Sequence, residues 1–154
     1  MANNITLRKA TLDDLETLRK FEQGVIEAER PYDPTIREGE VQYYDLEKLI
    51  TSDESYLAVA EARGVLVGCG YARLEPARPW LNHTHYAYLG FMYVLPEYRG
   101  QGINAIIINA LQQWALSRKV NELRLEVYSG NIPAIRAYEK VGFTTHLLEM
   151  RMKA

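Results

Sequence analysis

A long apolar strand pattern that runs directly into an amphipathic helix constrains the fold of this chain most. Residues 85–94 are apolar on both faces, as expected of a strand in the middle of a sheet. Pro96 ends this strand. Beyond Gly100 and Gly102, apolar residues recur at steps of three and four over residues 103–115, which indicates one continuous helical face. A strand followed by such a helix predicts a sheet with helical crossovers on its faces.

Hydrophobic periodicity divides the rest of the chain into further strands and helices. Alternation predicts strands at 5–9, 56–60, 65–74, 123–127 and 147–152, and helical spacing predicts helices at about 11–30, 40–50 and 132–140. The order β-α-α-β-β-β-α-β-α-β predicts the α/β class (α+β type), with a mixed, mostly antiparallel sheet and helices on both faces. Without a linker or repeat, we expect one domain over residues 1–154, its core at about 5–152.

The composition excludes several classes of protein. With 154 residues, of which 47% are hydrophobic and 25% charged, the chain can bury a core without disulfides or metals. A formal net charge of −2 gives no basis for a nucleic-acid partner. Cys69 is the single cysteine, so an internal disulfide and a cysteine zinc site are both excluded. His83 and His85 come without a third ligand, and we expect no bound metal.

The sequence also predicts the compartment. The longest apolar stretch, residues 86–95, is interrupted by Gly90 and has about half the length of a membrane helix. The first residues lack the basic and apolar regions of a signal peptide. We therefore expect a cytoplasmic protein without a membrane partner.

The segment at residues 94–104 has the composition of an anion-binding turn. Gly100 and Gly102 can adopt positive φ and allow a ligand to approach the backbone. The free N–H groups of the helix that follows favour an anion, and Arg99 adds a cation. These features predict a phosphate or pyrophosphate site, although Arg-Gly-x-Gly also occurs in plain turns. The segment is neither a Walker loop nor a dinucleotide fingerprint.

A second informative segment covers residues 131–143. Asn131 is a good N-cap, Pro133 suits a first helical turn, and Ala134 and Tyr138 share one helical face. Taken alone, this segment indicates a capped amphipathic helix with Tyr138 in the core.

Together the two segments resemble the GNAT superfamily of acetyl-CoA-dependent N-acetyltransferases. Residues 94–104 are similar to its V-x-P-x-x-R-G-x-G-[IL]-[GA] loop, and residues 131–143 to its N-x-x-A-x-x-x-Y-x-K-x-G-F helix. With the order of the elements, the resemblance extends over about residues 5–152. Asn104 departs from the usual Gly or Ala, and we expect the coenzyme's pyrophosphate to accommodate its side chain.

The resemblance implies a site for acetyl-CoA and no metal. Its pantetheine arm would pair with the backbone of β-strand residues and contact the second motif, while its pyrophosphate would lie on the loop. The cofactor-binding residues implied are Met92, Val94, Arg99, Gly100, Gln101, Gly102, Ile103, Asn104, Asn131, Ala134 and Tyr138. Tyr138 would act as general acid toward the thiolate, and a backbone N–H near Met92 would stabilise the oxyanion.

The general base is less well defined by the sequence. Tyr88 occupies the position at which histone-modifying members carry a glutamate base, and a phenol cannot replace it near neutral pH. We expect Glu29 to act as the base. Glu27, Asp33, Glu75 and a water relay remain open.

An acidic and aromatic region would flank the acceptor side. Glu27, Tyr32, Asp33, Tyr43 and Trp80 belong to it. Such side chains can bind a cationic amine through charge and cation–π contact. A solvated acidic helix end would carry the same residues.

The sequence thus predicts an acyltransferase. It would move the acetyl group of acetyl-CoA to a primary amine of a small molecule or peptide, by direct attack in a ternary complex. The alternatives are a non-catalytic acetyl-CoA sensor and a protein that binds another phosphorylated ligand with the same loop. A homodimer is left open as its assembly.

Overall fold

The computed structural model describes residues 4–154 and consists of five strands and four α-helices. The strands are β1 (Ile5–Lys9), β2 (Ser55–Ala62), β3 (Val65–Pro76), β4 (His85–Val94) and β5 (Leu123–Arg124). The helices are α1 (Leu15–Glu29), α2 (Leu46–Thr51), α3 (Ile103–Ser117) and α4 (Ile132–Lys140). Single 3-10 turns cover Leu12–Asp14, Arg30–Tyr32 and Pro96–Tyr98.

The strands form one mixed sheet in the order β1-β2-β3-β4-β5. The first three pairings are antiparallel, and β4 pairs with β5 in parallel after the α3 crossover. This confirms the predicted class and the mostly antiparallel sheet. None of the helices within residues 4–154 is long and apolar enough to cross a membrane.

The sheet separates two hydrophobic cores. On one face, α3 buries Ile103, Ile107 and Leu111 against the sheet, and Tyr138 and Phe143 pack against the same core. On the other face, α1 and α2 cover the side chains in the second core. Neighbouring residues of one strand alternate between these faces. The two faces of the sheet are therefore covered by different helices. One face carries α3 and α4, and the other carries α1 and α2.

Polar contacts fix the start of α1. The Thr11 N–H donates to the Asp14 carboxylate over 2.8 Å, as expected of a capped helix start. Arg8 of β1 donates two hydrogen bonds to the same carboxylate, over 2.8 and 2.9 Å. These contacts cap the 3-10 turn Leu12–Asp14, which follows the predicted start at Thr11 and leads into α1 four residues later than predicted, and they tie this start to the edge strand.

The second helix is shorter than predicted, because α2 begins at Leu46 and not near residue 40. The buried Glu22 carboxylate accepts the N–H groups of Tyr43 and Tyr44, each over 2.8 Å, and holds this stretch in a non-helical conformation. Asp45 then caps the helix by accepting the Lys48 N–H.

The C-terminal strand predictions are also corrected. The predicted strand at 123–127 has a ladder of only two residues, and residues 147–152 form no strand at all. A strand needs a hydrogen-bonded neighbour, and residues 147–152 have none in the chain described. Arg151 instead donates to Asp33 and Thr35 over 2.9 and 3.0 Å. The observed order is therefore β-α-α-β-β-β-α-β-α.

Candidate active site

The parallel pairing of β4 with β5 ends after two residue pairs, which leaves a gap beside the rest of β4. Its ladder consists of Ala87 with Leu123 and Tyr88 with Arg124, and it goes no further. Residues 89–94 of β4 therefore have no strand beside them on this side. Their outward backbone groups are free to pair with an extended ligand.

A β-bulge lies in this unpaired stretch. Cys69 of β3 lies opposite Tyr93, but Tyr71 lies opposite Gly90, so Gly70 faces both Phe91 and Met92. Phe91 has a φ of 54°, which costs energy for a bulky residue and is typical of functional sites. The bulge turns backbone groups around Met92 out of the regular ladder. A Cβ added at Gly70 would lie 2.5 Å from the Met92 sulfur, so a larger residue here would force the Met92 side chain to move.

The predicted anion-binding turn follows β4 and leads into α3. Gly100 and Gly102 have φ values of 78° and 81°, and an added Cβ at either would meet no atom within 4 Å. The space above both residues is thus open. Arg99 fixes the turn, since its Nε donates to the Val94 carbonyl over 2.8 Å, while its guanidinium lies 5.6 Å from the centre of the Tyr93 ring. The first N–H groups of α3 face outward there, as a phosphate requires.

The second motif forms α4 as predicted. The Asn131 side chain caps the helix by accepting the Ala134 N–H over 3.3 Å. Tyr138 is partly buried and packs edge-to-face with Phe143 at 5.9 Å. Burial, and then the charge of Glu29, raise the pKa of Tyr138 to about 12. The phenol therefore stays protonated at neutral pH and can donate a proton.

Glu29 lies at the end of α1, close to the tyrosines of the acceptor side. Burial raises the pKa of its carboxyl group, against the opposing effect of a hydrogen bond from Tyr43, and the charge of Asp33 raises it further. Burial and Glu29 in turn raise the pKa of Tyr43. The charge of Glu29 also raises the pKa of Tyr138 and of Tyr128, so this carboxylate acts on the second motif from the acceptor side.

Asp33 is engaged in contacts within the chain. It accepts hydrogen bonds from the Thr35 backbone over 3.0 Å, from Arg151 over 2.9 Å and from the Tyr128 hydroxyl over 3.2 Å. The Thr35 contacts, followed by Arg151, hold the pKa of its carboxyl group well below the usual range. Such a carboxylate is a weak proton acceptor, so Asp33 is less suited than Glu29 to act as a base.

The remaining predicted acceptor residues differ in their surroundings. Tyr32 stacks on Tyr128 with ring centres 6.3 Å apart. Glu27 pairs with Arg30 over 2.9 Å on the outer side of α1. Trp80 is 76% exposed on the loop between β3 and β4. Stacking, a hydrogen bond and charge effects thus place Glu29, Tyr32, Asp33 and Tyr43 near Tyr128, whereas Glu27 pairs with Arg30 and Trp80 lies exposed on a separate loop.

Sequence reasoning missed one carboxylate at the gap. The Tyr88 hydroxyl donates to Glu126 over 2.8 Å, and the Arg73 guanidinium lies 5.4 Å from the centre of the Tyr88 ring. Burial and Glu126 raise the pKa of Tyr88. The alternation of apolar and charged residues over 123–127 could have indicated the position of Glu126. Because Leu123 and Leu125 belong to the core on the α3 face, Glu126 points to the opposite face.

Glu75, another candidate base, forms an ion pair with Arg73 on β3. Among residues 4–154, no three His, Cys, Asp or Glu side chains are grouped closely enough to hold a metal ion.

Comparisons with known proteins agree on the fold. Residues 21–143 match the acetyltransferase (GNAT) family. A streptothricin acetyltransferase from Escherichia coli is 43% identical over 64 residues, which are 42% of this chain and 29% of that protein. The match thus spans less than a third of that relative's length.

Two solved structures cover nearly the whole chain. A tetramutant of the BH1408 protein from Bacillus halodurans superposes with a TM-score of 0.86 at 21% identity, over 97% of this chain and 99% of that one. A predicted acetyltransferase with acetyl-CoA from Clostridium acetobutylicum gives 0.73 at 20% identity, over 96% of both chains.

Proposed function

The chain belongs to the GNAT family of acetyltransferases, and from this premise we propose that it transfers the acetyl group of acetyl-CoA to a primary amine. The acceptor is a small molecule or a peptide, and the amine attacks directly within a ternary complex. The observation that carries the proposal is the arrangement at one edge of the sheet. There the end of β4 is bulged and unpaired on one side, the Gly100–Gly102 turn follows it along the chain, and Tyr138 packs on the core of the α3 face.

The residues at this edge fit acetyl-CoA as the donor. The open space above Gly100 and Gly102 would accept a pyrophosphate, and the free edge of β4 would accept the amide groups of pantetheine as an added strand. The proposed donor-binding residues are Met92, Val94, Arg99, Gly100, Gln101, Gly102, Ile103, Asn104, Asn131, Ala134 and Tyr138.

Three groups would share the chemistry. A backbone N–H of the bulge near Met92 stabilises the negative charge that develops on the thioester oxygen. Tyr138 donates a proton or hydrogen bond to the departing thiolate, which its protonated state allows. Glu29 takes the proton that the amine must lose before it can attack. Its raised pKa makes it a stronger base than an ordinary surface glutamate.

The acceptor would approach over the face that α1 and α2 cover. Carboxylates and phenol rings are concentrated there, and such a surface suits a cationic amine. The proposed acceptor-side residues are Glu27, Glu29, Tyr32, Asp33, Tyr43, Trp80 and Glu126. The streptothricin acetyltransferase match supports a small-molecule amine. We further propose a cytoplasmic location, because acetyl-CoA is the co-substrate, and a homodimer as the assembly.

The test is thiol release from acetyl-CoA over a panel of amines, with acetylated products identified by mass spectrometry. Streptothricin, an aminoglycoside, a polyamine and a lysine peptide form the panel, and a tertiary amine is the matched control that cannot form an amide. We expect thiol release and product in equal amounts for at least one primary amine. Tight acetyl-CoA binding without turnover on a broad panel would instead support a sensor. Competition by ATP would support a different phosphorylated ligand.

A further inference from the structure

Arg73 of β3 is a cation that the proposed chemistry does not use. Its guanidinium lies 5.6 Å from the centre of the Tyr71 ring and 5.4 Å from the centre of the Tyr88 ring. Its Nε donates to the Glu75 carboxylate, whereas its two terminal nitrogens donate to no carboxylate among residues 4–154. The Arg73 side chain is 42% exposed, so this end of the guanidinium is accessible to a ligand.

The two aromatic rings beside the guanidinium are themselves held in place. Tyr71 is only 3% exposed, and the Tyr88 hydroxyl donates to Glu126 over 2.8 Å. A Cβ added at Gly90 would lie 2.5 Å from the Tyr71 hydroxyl oxygen, so a larger residue there would displace the Tyr71 ring. Because fixed groups surround the guanidinium, Arg73 loses less conformational freedom on binding an anion than a free surface arginine does.

Arg73 lies on the acceptor side of the sheet, the face that α1 and α2 cover. Tyr71 belongs to the core on this face, and Arg73 follows it by two residues on the same strand, so both side chains point to the same side. In the ladder, Arg73 pairs with Tyr88 and Tyr71 pairs with Gly90, which directly precedes the bulge at Phe91. The guanidinium is therefore two or three strand residues from the bulge, which is about 7–10 Å.

Charges of opposite sign flank Tyr88 on this face. Glu126 lies at its hydroxyl group and the Arg73 guanidinium lies near its ring. Burial and Glu126 raise the pKa of Tyr88, and the charge of Arg73 opposes this rise. A ligand with a cationic group alone would pair with carboxylates and leave the terminal nitrogens of Arg73 without a partner. A ligand that carries both an amine and an anionic group can pair with charges of both signs.

The accessible end of the guanidinium suits a carboxylate or a phosphate, because its two N–H groups can bind two oxygens at once. The acceptor amine must reach the thioester beside the bulge, about 7–10 Å from Arg73. A compact molecule can span this distance, since a hydrogen bond at each end adds about 3 Å. On the basis of the proposed acetyl transfer, we propose that the acceptor is a small molecule with an anionic group, a carboxylate or a phosphate, besides its primary amine, and that Arg73 binds this group.

The first experiment compares matched pairs of amines in the thiol-release assay. β-Alanine and L-phenylalanine are each paired with their amides, which lack the carboxylate, and phosphoethanolamine is paired with ethanolamine. After correction for the fraction of neutral amine, we expect kcat/KM to be about tenfold higher, or more, for the anionic member of at least one pair. The pair that shows this preference distinguishes a carboxylate from a phosphate.

Variants of Arg73 test whether this residue causes the preference. Arg73→Gln should bring the ratio of kcat/KM values close to one, and Arg73→Lys, which keeps the charge, should retain part of it. Arg118→Gln is the matched control, since the Arg118 guanidinium also lies near an aromatic ring, 5.3 Å from Trp114, but at the end of α3. It should keep the wild-type ratio, and an unchanged Kd of acetyl-CoA shows that each variant is folded. A wild-type ratio near one for every pair, or a preference that survives Arg73→Gln, would overturn the proposal.

The second experiment measures binding of the same amines without turnover, by ligand-observed NMR on the protein loaded with CoA. We expect saturation transfer to an anionic amine and not to its neutral counterpart, and we expect Arg73→Gln to abolish it. If no amine releases thiol but this binding is observed, acetyl transfer is wrong as the function and the anion site at Arg73 stands. If thiol is released but neither binding nor kcat/KM depends on the anionic group, acetyl transfer stands and the anion site is wrong.

Discussion

At the scale of single residues, Glu29 shows how one position can favour function at the expense of stability. Its carboxyl group is partly buried and its pKa is raised from 4.5, chiefly by burial. The folded chain thus binds a proton here more tightly than the unfolded chain does. As the pH rises from 4.5 through the raised pKa, Glu29 ionises less readily in the folded chain than in the unfolded chain. The free energy of unfolding therefore decreases over this pH range.

We expect Glu29→Gln to lower kcat/KM about a hundredfold at neutral pH, because the amine loses its proton acceptor. The acidic limb of the pH profile, expected above pH 4.5, should disappear. The same substitution should raise Tm slightly at pH 7 and not at pH 4. Kinetics and calorimetry at both pH values check this. Glu54→Gln, which removes an exposed carboxylate at the turn before β2, is the control and should change neither quantity.

Tyr138→Phe should lower kcat about tenfold or more and leave the Kd of acetyl-CoA nearly unchanged. The hydroxyl matters only when charge develops on sulfur, and its pKa of about 12 keeps it protonated. Calorimetric titration and steady-state kinetics separate the two effects. Tyr56→Phe, on a ring stacked against Trp114, is a matched control. If the Tyr138→Phe variant keeps the wild-type kcat while the chemical step limits the rate, Tyr138 is not the general acid and only contributes to packing.

At the scale of elements, periodicity predicted β1, β4, α1, α3 and α4 close to their observed bounds, because each has a continuous apolar pattern and a local end signal. The bulge at Phe91 was not predictable from such a pattern, since it depends on the register between two strands. The non-helical stretch before α2 was not predictable either, because it depends on hydrogen bonds from Tyr43 and Tyr44 to Glu22, which is distant in sequence. Glu126 became a site candidate only through its contact with Tyr88 across the gap.

The turn before α3 yields a prediction with an internal control. Gly102 and Gly64 have similar φ values, 81° and 78°, and neither would meet an atom within 4 Å through an added Cβ. Valine at either position should therefore destabilise the fold by a similar amount, about 1–2 kcal/mol. We expect only Gly102→Val to weaken acetyl-CoA binding, by tenfold or more, because its side chain enters the anion site. Equal Kd values of acetyl-CoA for both variants would contradict the proposal that the pyrophosphate binds at this turn.

At the scale of the whole molecule, the position of the single thiol limits the kinetic mechanism. Cys69 lies in the core beneath α1, fully buried, and burial raises the pKa of its thiol. It cannot meet a thioester bound at the sheet edge, so no acetyl-cysteine is expected. Initial-velocity plots against both substrates should intersect, and Cys69→Ala should retain wild-type kcat. Parallel plots, or an acetylated protein trapped without acceptor, would contradict direct transfer.

Because the end of β4 is unpaired, hydrogen exchange in this strand should reveal whether acetyl-CoA is bound. Amide hydrogens of residues 89–94 that point away from β3 face no strand, so in the free protein they are exposed to deuterium from solvent. A bound pantetheine arm would shield them, while amides in the interior of β2 would keep their rate. Deuterium uptake of one peptide therefore becomes a measure of how much of the protein is loaded. It can be followed in a crude extract, before any acceptor has been found.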